Sequence, residues 1–436
     1  MRTRSLLGVL ASVAVIAGAC SSSATPSPSS AAPASQAPAS APASQAAASG
    51  SAPASQAAAP SGPAPIASIG PGEGELDIVI WAGYAESGAN VKEYDWVHPF
   101  EQANPDCAKV NAKTADTSDD MYTLMTQGHG QYDGVSASGD ASNRLIEAGE
   151  IAPVDPSLFP DFKDLSDFLQ SPPHNTVNGV HYGVSHGWGG NTLMYRTDKV
   201  NPAPISWSAV FDPTEAAKYP GKITDYGGTI YIADAALYLS DHQPSLGITD
   251  PYELTQPQFD AAIALLKAQH QYVGKYWTSY SDEIDNFTNG QSLLGTTWQY
   301  QTNALLASGV KVAAVVPSEG MTGWADTWML SSTAKHPNCM LKWMAWMITP
   351  QVQAQVAEYF GEAPANPKAC DILDKPGGAG SYSIPNFCQA YHVTDLNFYD
   401  KIAFWKTPSA DCGDTRGKTC IPYDQWLQAW TDVKGG

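Results

Sequence analysis

The sequence predicts an α/β fold made of two lobes, each a mainly parallel sheet flanked by helices, with a ligand cleft between them. Three observations predict it. Strand-like and helix-like segments alternate, break off, and alternate again. Glycine-rich stretches at 181–190 and 317–332 fall where the alternation changes. The first strand-like run ends in a small-residue loop, and ligands of open α/β sheets bind at the C-terminal ends of strands.

Taken in order, residues 76–81 are rich in β-branched side chains and read as a strand, followed by the loop Ala82-Gly83-Tyr84. A short helix at 97–103, a strand at 108–114 and a helix beginning at Ser118 follow. A strand at 132–136 leads through Ser138-Gly139-Asp140 into a helix over 141–148. His181 to Gly190 is the first crossing between lobes. In the second lobe, 221–226 reads as strand and loop, and 229–239 as a helix. Residues 256–270 form an amphipathic helix, with Phe259, Ala262, Ile263 and Leu266 on one face. A strand over 292–297 ends at Trp298, and a strand over 310–316 feeds the second crossing. Met340, Trp343, Met344 and Met347 line a further helix, and another runs from Pro350 to Gly361. The expected lobe bounds are 75–183, completed by 325–370, and 184–324, completed by 371–436.

Ahead of this lies an export signal over residues 1–19. Arg2 and Arg4 precede an apolar run at 6–19, shorter than the ~20 residues needed to span a membrane. Small residues directly before Cys20 resemble a bacterial lipoprotein signal, so Cys20 is expected to carry a lipid as the only membrane attachment. Residues 20–74 are expected to be a tether. They are rich in Ser, Ala and Pro, with Pro-Ala-Ser-Gln-Ala repeating from Pro33, Pro42 and Pro53, and lack an apolar period to bury. The formal net charge of −20 excludes nucleic acid as a natural partner. Of the seven cysteines, Cys107, Cys339, Cys370, Cys388, Cys412 and Cys420 follow the tether. An even number in an exported chain suggests disulfides. Proximity favours Cys412–Cys420 and Cys370–Cys388, which leaves Cys107–Cys339. No CxxC or HExxH occurs, so neither a metal site nor a cofactor is expected.

The stretch that points to function is Gly323-Trp324-Ala325-Asp326. It reads as a glycine bend carrying an indole and a carboxylate. A flat apolar wall beside one negative charge suits a small organic cation. With Ile80-Trp81, Tyr132 to Ser138, Thr224-Asp225, Thr297-Trp298 and Gln355 to Gly361, it makes the chain over about 76–434 resemble a known family. These are bacterial extracellular solute-binding proteins of the spermidine/putrescine branch, the receptors of ABC importers. The resemblance implies a periplasmic-binding-protein-like fold without enzymatic activity. It implies an aromatic box of Trp81, Tyr84, Trp298 and Trp324, an amine-binding carboxylate at Asp326 and a polar contact at Ser138. Two acids of the family are replaced by Tyr226 and Thr229, beside Asp225. Two of its aromatic positions carry Asp140 and Glu362. Asp225, Asp140 and Glu362 therefore join the expected site, although Asp140 also sits where a helix N-cap would.

The expected function is capture of an amine or polyamine-like solute by a monomeric receptor that delivers it to ABC permease subunits. A receptor for carbohydrate or another organic solute is the alternative. A hydrolase is less favoured, because Gly183-Val184-Ser185-His186-Gly187 matches a nucleophile elbow but leads into more glycines, not a helix.

Overall fold

A computed structural model describes residues 65–412 and 419–435; Cys20, the signal and most of the tether lie outside these. The first four strands are β1 (Leu76–Trp81), β2 (Val110–Ala115), β3 (Gly134–Ser138) and β4 (Val184–Gly190). The chain then turns at Asn191 into β5 (Thr192–Arg196), followed by β6 (Ile223–Tyr226), β7 (Val273–Trp277), β8 (Leu294–Thr297) and β9 (Val312–Val315). It returns as β10 (Met321–Leu330) and ends its strands with β11 (Ala363–Pro364) and β12 (Ile402–Phe404).

Among the described residues these strands form a seven-stranded sheet, ordered β11-β4-β10-β3-β1-β2 with β12 also on β10, and a five-stranded sheet, ordered β9-β5-β8-β6-β7. A separate two-stranded hairpin joins 176–177 to 180–181. Both large sheets are mixed. β1, β2 and β3 run parallel, as do β6, β7 and β8. The returning β10 is antiparallel to β3 and β4, and β5 is antiparallel to β8 and β9.

Each sheet is covered on both faces. Leu76, Ile78 and Ile80 enter one core, whereas the intervening Val79 enters another with Val135 and Met329. This alternation is why β1 reads as a continuous apolar run. The second sheet divides its residues likewise, Leu193 and Tyr195 to one side and Met194 to the other. The helix Gln256–His270 matches its expected bounds, begins with a Thr255–Gln258 capping box, and packs against the terminal helix Tyr423–Gly435.

Three expectations are corrected. The crossings lie at 191 and 316–320, not at 183/184 and 324/325, because β4 and β10 pair with each other in the first sheet. Trp324 and Asp326 are not at a bend. They sit mid-strand in β10, and a register shift follows Asp326. Gly323 is needed there for close approach, since a side chain would meet the Gly189 carbonyl at 2.6 Å and collide with Ile402. Lastly, residues 70–73, expected in the tether, are held by the fold. Gly70 donates to Asn338, Gly72 to Asp106, and Glu73 accepts from the Asn338 and Cys339 amides.

Three disulfides close the described residues: Cys107–Cys339, Cys370–Cys388 and Cys412–Cys420. No helix among these residues is long and apolar enough to cross a membrane.

Candidate solute-binding site

A cavity of about 360 Å³ opens where strands of both sheets end. Trp81 ends β1 and Ser138 ends β3; Tyr226 ends β6 and Trp298 follows β8. The ends of parallel strands thus supply walls from both sheets, as the rule for open α/β sheets requires. Trp324 and Asp326, two residues apart on β10, present both side chains to it, and Trp405 follows β12. A second chamber of about 240 Å³ shares Ala82, Tyr280, Trp298, Trp324 and Phe360 with the first and adds Glu86.

The walls are largely π surface. Tyr226 stacks on Trp405 with centroids 5.5 Å apart and packs against Trp298 at 5.8 Å. Trp298 meets Trp324 edge to face at 6.2 Å, and Trp324 meets Phe360 in the same way. The Trp298 N–H is committed to the Asn191 side-chain oxygen at 2.9 Å. The indole N–H groups of Trp81, Trp324 and Trp405 are buried without a partner. The indoles therefore offer the cavity carbon rather than donors.

Asp326 is the buried charge of this chamber, 2% exposed. Strand register places Ser138 opposite it on β3 and Gly187 opposite it on β4. Ser138 donates its hydroxyl to Oδ1, and the Tyr84 hydroxyl lies 2.6 Å from Oδ2. Burial pushes the carboxyl up to about 7, against the pull of those two hydrogen bonds, and the Asp140 charge adds to the rise. The same Tyr84 oxygen lies 2.6 Å from Glu362 Oε2. Glu362 reaches this position only because residue 187 is glycine, where any side chain would collide with its carboxylate. Burial holds Glu362 well above the usual carboxylate range. His186 lies 3.6 Å from Glu362, but burial pushes the imidazole down to about 3, so at neutral pH the contact is not an ion pair.

Of the expected residues, Trp81, Ser138, Trp298, Trp324 and Asp326 line the larger chamber together. Tyr84 and Glu362 do not; they stand behind Asp326. Asp225 is directed away, because it precedes the cavity-lining Tyr226 by one residue and a strand alternates its faces. It accepts from Gln269 at 2.9 Å, and burial raises it to about 7. Asp140 is not an N-cap, which is Ser138; it lies in the first helical turn and accepts from Ser118 at 2.9 Å.

The sequence reading missed Trp405, Phe360 and the exposed Asp116 at this chamber, and Glu86 in the next. Phe360 sits in a π-helical turn over Ala357–Gly361 that ends its helix, a distortion frequent at binding sites but without a signature in the sequence. Trp405 lies in a cysteine-rich tail with no periodicity to place it.

Two mixed sheets joined by crossovers, with an aromatic cavity where strands of both end, are the architecture of a two-lobed binding protein. The chain belongs to the bacterial extracellular solute-binding proteins, whose family pattern matches residues 95–376, and these bind solutes without catalysing a reaction. It is similar to the spermidine/putrescine-binding periplasmic protein of Escherichia coli K12. The two are 25% identical over 313 residues, 69% of this chain and 84% of the relative. Its fold is similar to that of a putative spermidine/putrescine ABC transporter protein from Listeria monocytogenes. That similarity has a TM-score of 0.64 at 20% identity and covers 83% of this chain and 99% of the other. The PBP MotA from A. tumefaciens B6, solved in complex with glucopine, is similar in fold with a TM-score of 0.62 at 17% identity, over 83% and 99% of the two chains.

Proposed function

We propose that this chain is the substrate receptor of an ABC importer and captures a small amine or polyamine-like solute. The observation that carries the reading is Asp326, a lone buried carboxylate in a chamber walled by Trp81, Tyr226, Trp298, Trp324 and Trp405. An ammonium group over an indole face gains ~0.5–2 kcal/mol, and a charge-assisted hydrogen bond to a carboxylate adds to it. The relatives named for spermidine and putrescine support the same solute class.

Capture would proceed by closure of the two lobes about the crossings at 191 and 316–320, which removes water from the rings and the carboxylate. The loaded receptor would act as a monomer, dock on permease subunits, and remain attached to the outer face of the membrane through a lipid on Cys20.

A second reading, a receptor for carbohydrate or another organic solute, draws on the same indoles, which also stack on sugar rings. A raised Asp326 carboxyl would serve it as a neutral donor. Mass spectrometry of solute released from freshly purified protein decides between them. An amine is expected. A sugar in the site, with no amine stabilising the protein in a thermal-shift screen, would replace the first reading by the second.

A further inference from the structure

The Tyr84 hydroxyl has one hydrogen, yet its oxygen lies 2.6 Å from a carboxylate oxygen on each side, Asp326 Oδ2 and Glu362 Oε2. A phenol donates one hydrogen bond and otherwise accepts. If both acids were ionised, one of them would face the phenol oxygen with no proton between two lone pairs. The geometry closes only when the trio carries a second proton on one of the two carboxyl groups.

The surroundings offer no other charge to do this work. Tyr84, Asp326 and Glu362 are each buried. On β3, Ser138 is a neutral donor to Asp326. On β4, His186 stands near Glu362, but its Nε2 has no hydrogen-bond partner and burial keeps the ring neutral. On the helix after β3, Asp140 adds negative charge and is itself bonded to Ser118. Asp116 is a further carboxylate in the same chamber. No lysine or arginine among the described residues pairs with Asp326 or Glu362.

We propose that Tyr84 and Glu362 hold a proton behind Asp326, and that a cation entering the chamber expels it, so that solute capture is an exchange of one cation for one proton. The inference rests on the amine reading of the site. With the chamber empty, the retained proton keeps the buried trio at a single negative charge. When an ammonium group reaches Asp326, its field favours ionisation of both acids; the retained proton leaves to solvent, and the acid to which Tyr84 no longer donates draws away from the phenol oxygen. The positive charge beside the carboxylates is thereby replaced. Tyr84 and Glu362 are positioning residues here, because they act on the ligand through Asp326. Burial holds both acids above the usual range, which is the direction this exchange requires.

The test is isothermal titration of putrescine into the intact folded protein at pH 7, in buffers of different ionisation enthalpy. Release of up to about one proton per ligand is expected, with affinity rising up to about tenfold per pH unit between pH 5 and 7. The amines stay charged throughout, since they titrate near pH ~10, so the dependence belongs to the protein. Glu362→Gln supplies an amide donor to the Tyr84 oxygen and removes the need for the second proton. Proton release in that variant is expected to fall below the wild-type value, to what Asp326 alone gives up, whatever its affinity. Putrescine binding with no buffer dependence and constant affinity would overturn the exchange and leave the amine reading standing. Absence of binding by any amine would overturn both. Wild-type release in Glu362→Gln would remove Glu362 from the mechanism. The wild-type buffer series decides the exchange even if the variant does not fold.

Discussion

In the proposed reading Asp326 recognises the charge of the solute, and its replacement measures that role. Asp326→Asn keeps the shape, and its amide oxygen can still accept from Ser138 or Tyr84, but the negative charge is gone. Loss of a hydrogen bond to a charged group costs ~1.5–3 kcal/mol, so amine affinity is expected to fall by about 10- to 150-fold in calorimetry. Unchanged affinity would make Asp326 a purely structural acid. The buried titrating groups also fix how stability depends on pH. Asp326 and Asp225, each raised to about 7, and Asp140, raised to about 6, bind protons in the fold that the unfolded chain gives up near pH ~4. Their contribution is therefore fully present in acid and is lost as pH rises through 6–7. His174 and His186, lowered to about 4 and about 3, act in the opposite sense, losing stability as pH falls below ~6.5. Glu283, Asp234 and Glu362, all raised by burial, join the first group and outnumber the histidines. The ligand-free melting temperature is expected to rise when pH drops from 7.5 to 5. A steady fall over that range would show that these acids are ionised in the fold.

At the level of the element, β10 organises the site. It is central in its sheet, pairs on both sides, and brings Trp324 and Asp326 to one face. The facing strand β4 yields space through glycine. A methyl group on residue 189 would meet the Trp324 ring at 2.8 Å, so Gly189→Ala is expected to tip the indole into the chamber and weaken binding several-fold while the fold persists. Equal affinity would place the ligand away from Trp324. The same glycines explain what the sequence concealed. Glycine at 323 reads as a turn, because sequence pattern does not distinguish a bend from close approach of two strands. The alternation of strand and helix was legible because β1, β3 and the helix Gln256–His270 carry clear apolar patterns. Asp225 carries the charge that suits an amine, but the two-residue period of its strand gives the chamber to Tyr226. Tyr226, first noted as an acid that is missing, is instead an aromatic wall. The long-range Tyr84–Asp326–Glu362 contacts depend on register between distant strands and have no local signal.

For the whole molecule, two cores of similar kind are joined at the crossings, and indoles line the cavity between the sheets. Filling that cavity changes the surroundings of Trp81, Trp298, Trp324 and Trp405 together. A saturable shift in tryptophan fluorescence on adding an amine at micromolar concentration is expected, and a flat response to all amines would count against the amine reading. The Cys107–Cys339 bridge joins residues 232 apart, between the region before β2 and the helix Pro337–Met347. Removing it from Cys107→Ser/Cys339→Ser is expected to lower stability by ~2–5 kcal/mol in denaturant titration. A change below ~0.5 kcal/mol, the scatter of neutral surface substitutions, would mean the surrounding packing alone holds these segments.

That bridge has a mechanical consequence. Gly72 lies directly on its two sulfur atoms, and residues 70–73 are tied to Asn338, Asp106 and Cys339. Tension arriving along the chain from residues before 70 enters the first sheet's body at a covalent cross-link. The load is shared at once between the segment leading to β2 and the helix Pro337–Met347. It does not have to pass through 191 or 316–320, where the chain changes sheets, so a pull from the N-terminal side would not load the closure proposed above.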